Sequence, residues 1–569
     1  MKLRILFVIL TLVTGTFDAT AQLTDPFPPQ LSVGTFDGDI GFSMTDSSLL
    51  FANARLGRSL TRLGDIDGDG ISDFAAAASA GSSSRVRVVF GGSSLAGSSV
   101  LDLNSLPSTQ TLNIFGENIV RRVGFVGDII GDGLAEIGIT GPSVAYVIFG
   151  SAALRNANGS VSLATLDGSN GFIITGLESG NSQTPAISGV GDINNDGFQD
   201  VAVGSPLSDV NGLDSGRVHV VYGGTTVGAS GAIAASSLNG AAGFTINGVA
   251  SDDAIGTQVS GGSDINGDGI DDLVLGGEGD LPSASRGERT YVVYGATGLG
   301  SSGSFNLSLI DGSNGFVIGA GTPGDRGGAV VESIGDVNND GLGDVLVAFP
   351  NWSSFQGRVM VVFGSEDDRG VGPLNPEDLD GSNGFLLVAE DYDSFGASAA
   401  PLGDVNNDNL DDFIVGAPFA QVPGLNTPGA CVVVFGSTSL GAKGLVSANS
   451  FDGTNGFVVT GSSAEDQTGA SVAMCGDINE DGVNDILIGV PRAGSFDYGR
   501  LDVVLGRLLA AMCPVDVDGD GRIDIDDLYY ITQHPTDING DGVADYEDAA
   551  CLERYLRRNE LEDMTAGRR

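Results

Sequence analysis

An acidic nine-residue loop recurs seven times in this chain of 569 residues, and no other feature constrains its fold so tightly. The loop has the form Asp-x-Asp/Asn-x-Asp-Gly-x-x-Asp. It opens at Asp65, Asp128, Asp192, Asp264, Asp336, Asp404 and Asp477, in steps of 63, 64, 72, 72, 68 and 73 residues. A repeat of that length implies units that bury their apolar faces only against their neighbours.

Four strand-like pieces accompany each loop. One follows a Gly-Phe pair, as in Gly171-Phe172-Ile173-Ile174 or Gly456-Phe457-Val458-Val459. A second ends at the acidic loop, as in 470–474. A third leaves it, as in Phe413-Ile-Val-Gly-Ala-Pro418. The fourth is of the type Gly357-Arg-Val-Met-Val-Val-Phe-Gly364. Short β-branched runs punctuated by Gly, Pro and Asn are strands rather than helices. Four strands in each of seven repeats predict an all-β, seven-bladed β-propeller over residues 35–506, whose ring leaves only short sheet edges. The phase adds one expectation. The chain enters on Phe36-Asp-Gly-Asp-Ile-Gly-Phe42 and leaves on a strand of the Arg-Val type, so residues 35–45 should complete the seventh blade.

The loops carry the chemistry. Side-chain oxygens at positions 1, 3, 5 and 9, with the carbonyl of position 7, can converge on one hard cation. The expected ligands are Asp65, Asp67, Asp69, Ile71 and Asp73 in the first loop. In the third they are Asp192, Asn194, Asp196, Phe198 and Asp200. In the fourth they are Asp264, Asn266, Asp268, Ile270 and Asp272, and in the fifth Asp336, Asn338, Asp340, Leu342 and Asp344. Asp404, Asn406, Asp408, Leu410 and Asp412 follow in the sixth, where Asn409 replaces the turn glycine. Asp477, Asn479, Asp481, Val483 and Asp485 form the seventh. The second loop departs from the pattern, with Ile130 at position 3, and offers Asp128, Asp132 and Glu136. Good turn formation explains Asp-Gly alone, but not oxygen donors at four fixed positions. All-oxygen donor sets favour Ca²⁺ over Zn²⁺.

After a connector at 507–512, two longer loops carry a carboxylate at position 12. Their candidate ligands are Asp516, Asp518, Asp520, Arg522 (carbonyl), Asp524 and Asp527, then Asp537, Asn539, Asp541, Val543 (carbonyl), Asp545 and Asp548. Apolar residues after each loop read as short helices. A small loop-helix calcium-binding module is therefore expected at 513–557, followed by a flexible tail at 558–569. The expected total is six to nine Ca²⁺ ions.

Lys and Arg number 26 against 73 Asp and Glu, a net charge of −47, which excludes nucleic acid and anionic membranes as generic partners. Residues 1–21 read as a signal peptide. Lys2 and Arg4 precede an apolar run, and Ala19-Thr20-Ala21 offers a cleavage site. Residues 22–34 read as a linker. No membrane span is expected, and the location is secreted, extracellular or at the cell surface, with the periplasm as an alternative. Cys513 and Cys551 bracket the C-terminal module and suit a disulfide. Cys431 and Cys475 are either buried thiols or a second bridge. No catalytic constellation emerges. The two histidines are His219, in an alternating strand and expected to pack structurally, and His534, in a turn.

The unit Gly-Asp-Val-Asn-x-Asp followed by Val-Gly-Ala-Pro, best written in Phe395-Gly396 to Pro418, resembles the FG-GAP repeat of integrin α-subunit N-terminal propellers over roughly 35–506. The resemblance implies a propeller that binds an extracellular partner on one ring face while cations stiffen the other. In integrins only some blades carry the cation loop, whereas here nearly all do. The C-terminal loop-helix pair resembles a dockerin or EF-hand module, which implies docking to a scaffold or surface. The function expected is a calcium-binding adhesion or binding module, not an enzyme, with an extracellular protein or polysaccharide as ligand. The alternative is an extracellular hydrolase or polysaccharide-processing protein using the propeller face.

Overall fold

The computed structural model describes residues 27–506, apart from 39, 50–52, 81–82, 96–97, 117–121, 158, 181–183, 278–288, 320–323, 371, 390–393 and 423. Seven separate sheets account for its strands. Each is a blade whose first three strands run outward in chain order, so the strand before each acidic loop is innermost. The innermost strands are Ser59–Gly64, Arg122–Gly127, Ile187–Gly191, Ile255–Ser263, Val330–Gly335, Ser398–Gly403 and Ser471–Gly476. We number the blades 1 to 7 in that order.

The strand leaving each loop is buried on both faces. Asp200–Ser205, Asp344–Phe349 and Asp485–Val490 have no exposed residue. This is the burial expected of continuous apolar runs in a sheet covered on both sides by neighbours. The Gly-Phe strand lies outside, and its aromatic points into the core, as do Phe172, Phe244, Phe316, Phe385 and Phe457. The glycine before it is required by space and backbone angle. Gly171 has φ 139°, and a Cβ there would lie 2.3 Å from the Val147 carbonyl oxygen. Blade 1 dispenses with the pair and uses Thr111-Leu112 in its outer strand, Thr111–Phe115.

Seven apolar clusters fill the joints between blades, and one of them joins blade 7 to blade 1 through Phe42, Phe74, Cys475 and Leu487. The ring is closed by the N-terminal segment. Gly41–Thr45 pairs antiparallel with Arg500–Val504 and is an outer strand of blade 7, as the phase of the repeat predicts. Residues 30–32, within the stretch read from sequence as linker, form a strand parallel to the outer strand of blade 6. Phe27 anchors that stretch, stacked on Phe457 at 4.1 Å. The N-terminal segment thus laces two blades rather than one.

The same lacing recurs around the ring. A three-residue strand in the connection between the third and outer strands of one blade pairs parallel with the preceding blade's outer strand, as Val100–Asp102 does with Gly41–Thr45 and Ser160–Ser162 with Thr111–Phe115. This fifth strand covers what would be an open edge, and sequence alone did not reveal it.

Cys431 and Cys475 are buried free thiols, which resolves the two alternatives in favour of packing. His219 is buried in the third strand of blade 3 with Nε2 3.0 Å from Ser205 Oγ. Among the described residues, no helix is long and apolar enough to cross a membrane.

Candidate metal centres

All seven acidic loops lie on one face of the ring, joining the innermost strand to the second. Each is closed by a bulged pair in which the ninth residue faces the residue just before the loop, as Asp73 faces Gly64 and Asp344 faces Gly335. The ninth-position acid is fully buried in every blade. Its carboxylate does two jobs at once. In blade 1, Asp73 Oδ2 accepts the Ile66 N–H at 3.1 Å and Oδ1 accepts the Gly91 N–H at 2.9 Å. Asp200, Asp272, Asp344, Asp412 and Asp485 repeat both bonds, to position 2 of the loop and to the glycine that ends the third strand. Each of these acids therefore pins its loop to the end of the third strand, and one lone pair per oxygen stays available.

The first-position aspartate organises the turn. Asp65 accepts the N–H groups of Gly68 and Gly70 at 2.6 and 2.8 Å, and Asp264 accepts those of Gly267, Asp268 and Gly269. The fifth-position acid accepts the N–H of position 7, as Asp340 does from Leu342. In blades 4 to 7 the position-3 Asn donates its Nδ2 hydrogen to the fifth-position carboxylate and accepts that residue's N–H on its Oδ1, which Asn194 of blade 3 does not. The expected side-chain ligands of each loop are thus held within one turn.

Electrostatics makes these loops uncomfortable without a counter-charge. Burial is the largest influence on the ninth-position acids and pushes them up. Asp73, Glu136, Asp200 and Asp344 reach about 8, Asp272 about 7, and Asp412 and Asp485 rise well above the usual carboxylate range. Two neighbouring carboxylates of the same loop push each further up, against the backbone hydrogen bonds. A cation among these oxygens would reverse the balance.

The residues present fit such an ion. Oxygens of Asp65, Asp67 and Asp73 lie within 4.8 Å of one another, and so do oxygens of Asp128, Asp132 and Glu136. The second loop, whose sequence departs most from the pattern, thus gathers its acids as closely as the first. The buried Asn194 Oδ1 in blade 3 lacks a hydrogen-bond partner. Glu136 Oε1 feels the Gly150 N–H without forming a well-shaped hydrogen bond with it. Buried oxygens left in this state await a donor or an ion.

Two features of the loops were not legible in the sequence. The first is Arg155, carried by the connection between the third and outer strands of blade 2, which pairs its guanidinium with Asp67 and Asp69 and lies over the Phe90 ring at 5.2 Å. Blade 1 alone has aspartate at all four side-chain positions. With Arg155 the set carries a net −3, the same as the three-carboxylate loops of the other six blades. The second is the eighth position. Its side chain reaches to the loop of the preceding blade, so that Gln199, Asp271 and Asp411 accept the N–H groups of Asp128, Asp192 and Asp336 at 3.0, 2.9 and 2.8 Å. Gly127, Gly191 and Gly335 make room. A Cβ on Gly191, at φ 72°, would lie 2.1 Å from Asp271 Oδ2. In three of the seven joints, an eighth-position side chain therefore ties one acidic loop to the next.

The candidate ligands of the C-terminal loops, from Asp516 to Asp548, and the residues of the expected signal peptide lie outside the described residues.

Comparison with known proteins agrees with this architecture. A family model described as FG-GAP repeat matches residues 184–221, which run from the innermost strand of blade 3 through its acidic loop to the third strand. The chain is 31% identical to integrin alpha-4 of Xenopus laevis over 156 residues, 27% of this chain and 14% of that protein. It is 33% identical to integrin alpha-8 of Mus musculus over 145 residues, 25% of this chain and 13% of that one. It is also 38% identical to phosphatidylinositol-glycan-specific phospholipase D of Mus musculus over 107 residues, 18% of this chain and 12% of that enzyme. The aligned regions thus span only a small part of the length of each relative. The chain carries an FG-GAP repeat and is similar to integrin α subunits within a seven-bladed propeller.

Proposed function

We propose that this protein is a secreted or cell-surface, calcium-loaded propeller that acts as a binding or adhesion module for an extracellular protein. The observation that supports it most is the ring of seven acidic loops on one face. Seven buried carboxylates on one face, each backed by further oxygen donors, cost stability unless a divalent ion sits among them. The ions stiffen that face and leave the opposite one, built from the connections between second and third strands, to meet a partner. Similarity to integrin α subunits supports the same reading. The C-terminal segment at 513–557 would serve as a second calcium-binding module that docks the propeller to a scaffold or surface. The phospholipase D similarity covers only 107 residues, 12% of that enzyme.

Two measurements test the proposal. Excess EGTA should lower the melting temperature by well over 10 °C, with recovery at about 10⁻⁴–10⁻³ M Ca²⁺, the range of extracellular modules. An unchanged melting curve would remove the cation scaffold. Adhesion of the intact protein to immobilised extracellular proteins should depend on Ca²⁺. Adhesion to purified polysaccharide alone would redirect the reading to a carbohydrate ligand.

A further inference from the structure

The innermost strands enclose a central channel of about 760 Å³, within the range of small-molecule sites. The register of the inner hairpins divides its wall into rings of equivalent residues. One ring lies three positions before the acidic loops. There each blade contributes the residue that pairs with the one just after its ninth-position acid. Blade 1 contributes Arg62, the one charged member of this ring, and blade 2 contributes Phe125. Gly189 and Gly261, from blades 3 and 4, place no side chain in the channel and leave it open opposite them. Pro401 and Met474, from blades 6 and 7, are apolar.

The Arg62 guanidinium lies over the Phe125 ring at 4.4 Å and is half-buried. Among the described residues, no hydrogen bond or ion pair engages it. Burial lowers its pKa, and Asp411, the eighth-position acid of blade 6, acts against that. Asp411 also lines the channel. Its Oδ2 accepts the Asp336 N–H at 2.8 Å, and its Oδ1 has no hydrogen bond among the described residues. The two charges thus face one channel from blades 1 and 6, near enough to act on each other, without forming an ion pair.

The wall between them is apolar. Blade 7 stands between blades 6 and 1, so Pro401 and Met474 span the interval from Asp411 to Arg62. The other charged groups of the lining lie elsewhere. Asp271 accepts the Asp192 N–H at 2.9 Å, and Glu332 accepts the Ser260 hydroxyl at 3.0 Å. Arg58 and Arg122 stand at the opposite mouth, where Arg122 donates to the Thr257 carbonyl at 3.0 Å.

We propose that the channel between Arg62 and Asp411 binds a free α-amino acid with an apolar side chain, its carboxylate on Arg62, its ammonium on Asp411 and its side chain against Pro401 and Met474. A guanidinium fork matches a planar carboxylate. A simple anion at Arg62 would meet the repulsion of Asp411, and a simple cation at Asp411 that of Arg62. A zwitterion satisfies both partly buried charges, which are costly while unpaired. Gly189 and Gly261 leave room for it on the far side of the channel.

The test uses the full-length protein with Ca²⁺ near neutral pH and L-leucine as probe, followed by calorimetric or NMR titration. Saturable binding at one site per chain is expected. N-acetyl-leucine lacks the ammonium and leucine amide lacks the carboxylate, so each should bind at least about tenfold more weakly, the loss of one charged contact. Arg62→Gln and Asp411→Asn should each weaken leucine binding by a similar factor. Asp411→Asn keeps an oxygen for the Asp336 N–H, so the test survives if Arg62→Gln fails to fold. Glycine, with no side chain to set against Pro401 and Met474, should bind several-fold more weakly than leucine. No saturable binding, or binding that both variants leave unchanged, would overturn the site. N-acetyl-leucine as tight as leucine would overturn the zwitterion, and glycine as tight as leucine would overturn the apolar side chain. The titration needs no adhesion partner and does not depend on the binding-module reading.

Discussion

Ser263 and Gly343 face each other across the joint between blades 4 and 5, and each occupies the position that its counterparts elsewhere in the ring fill with the opposite kind of residue. In most joints a glycine before the acidic loop accommodates a side chain from the eighth position of the next loop, as Gly191 does for Asp271. Here the side chain is on the near partner. A Cβ built on Gly343 would lie 2.5 Å from Ser263 Cβ, and the left-handed turn moves back one residue, to Gly262 at φ 85°. The Gly343 N–H still reaches the Asp264 carbonyl at 2.7 Å, so the joint keeps its backbone tie after the exchange.

Gly343→Ala should therefore destabilise the ring by about 1–3 kcal/mol through overpacking. Adding Ser263→Gly should recover at least half of that loss, because the two changes share one contact. Chemical denaturation of the Ca²⁺-loaded single and double variants checks it. Additive effects would show that the two residues do not compete for space.

Ring closure has its own latch. Asp46, just past the N-terminal strand of blade 7, pairs with Arg87 on the third strand of blade 1 at 2.6 Å, and both side chains are buried. Burial acts to raise Asp46, but its bonds with Arg87 and Ser48 outweigh it and hold the carboxyl below its ordinary value. Asp46→Ala strands a buried guanidinium and should cost about 3–5 kcal/mol, whereas Asp46→Leu with Arg87→Met should lie closer to wild type. A single-variant loss under about 1 kcal/mol would remove the pair from the closure.

His219 gives the propeller a stability slope in mild acid. Burial, and then the charge of Arg217, lower its pKa to about 4 from an ordinary 6.5. The unfolded chain takes up a proton below about 6.5 and the folded protein does not, so stability falls as the pH drops from about 6.5 towards 4. His219→Gln should flatten that slope by up to about 3 kcal/mol between pH 7 and 4. Equal slopes in both proteins would show that the imidazole titrates freely.

Arg155 should set the cation affinity of blade 1. Arg155→Gln restores the full charge of four carboxylates to that loop and should tighten one Ca²⁺ site several-fold, leaving stoichiometry unchanged. In the chelated protein the same change should lower the melting temperature, because the acids then lack their only nearby guanidinium among the described residues. Calorimetric titration and melting with EGTA read the two effects, and a weaker or lost site would show that Arg155 supports the ion rather than competing with it.

Much of this was written in local sequence. The spacing of the acidic loops, the Gly-Phe strands and the β-branched runs determine seven four-stranded units. The phase of the first strand determines that residues 35–45 complete the last blade, where the strand is Gly41–Thr45. These features are legible because strand periodicity and turn chemistry act over a few residues. The oxygen donors of each loop are legible for the same reason, since all of them belong to one nine-residue turn. Tertiary structure alone decided what depends on residues far apart in the chain. It brought Arg155 onto Asp67 and Asp69, 88 and 86 residues away. It matched Ser263 to Gly343 and laced the N-terminal residues onto blade 6. Such pairs leave no local pattern, because closing the ring, rather than any propensity of the segments, places them within reach of one another.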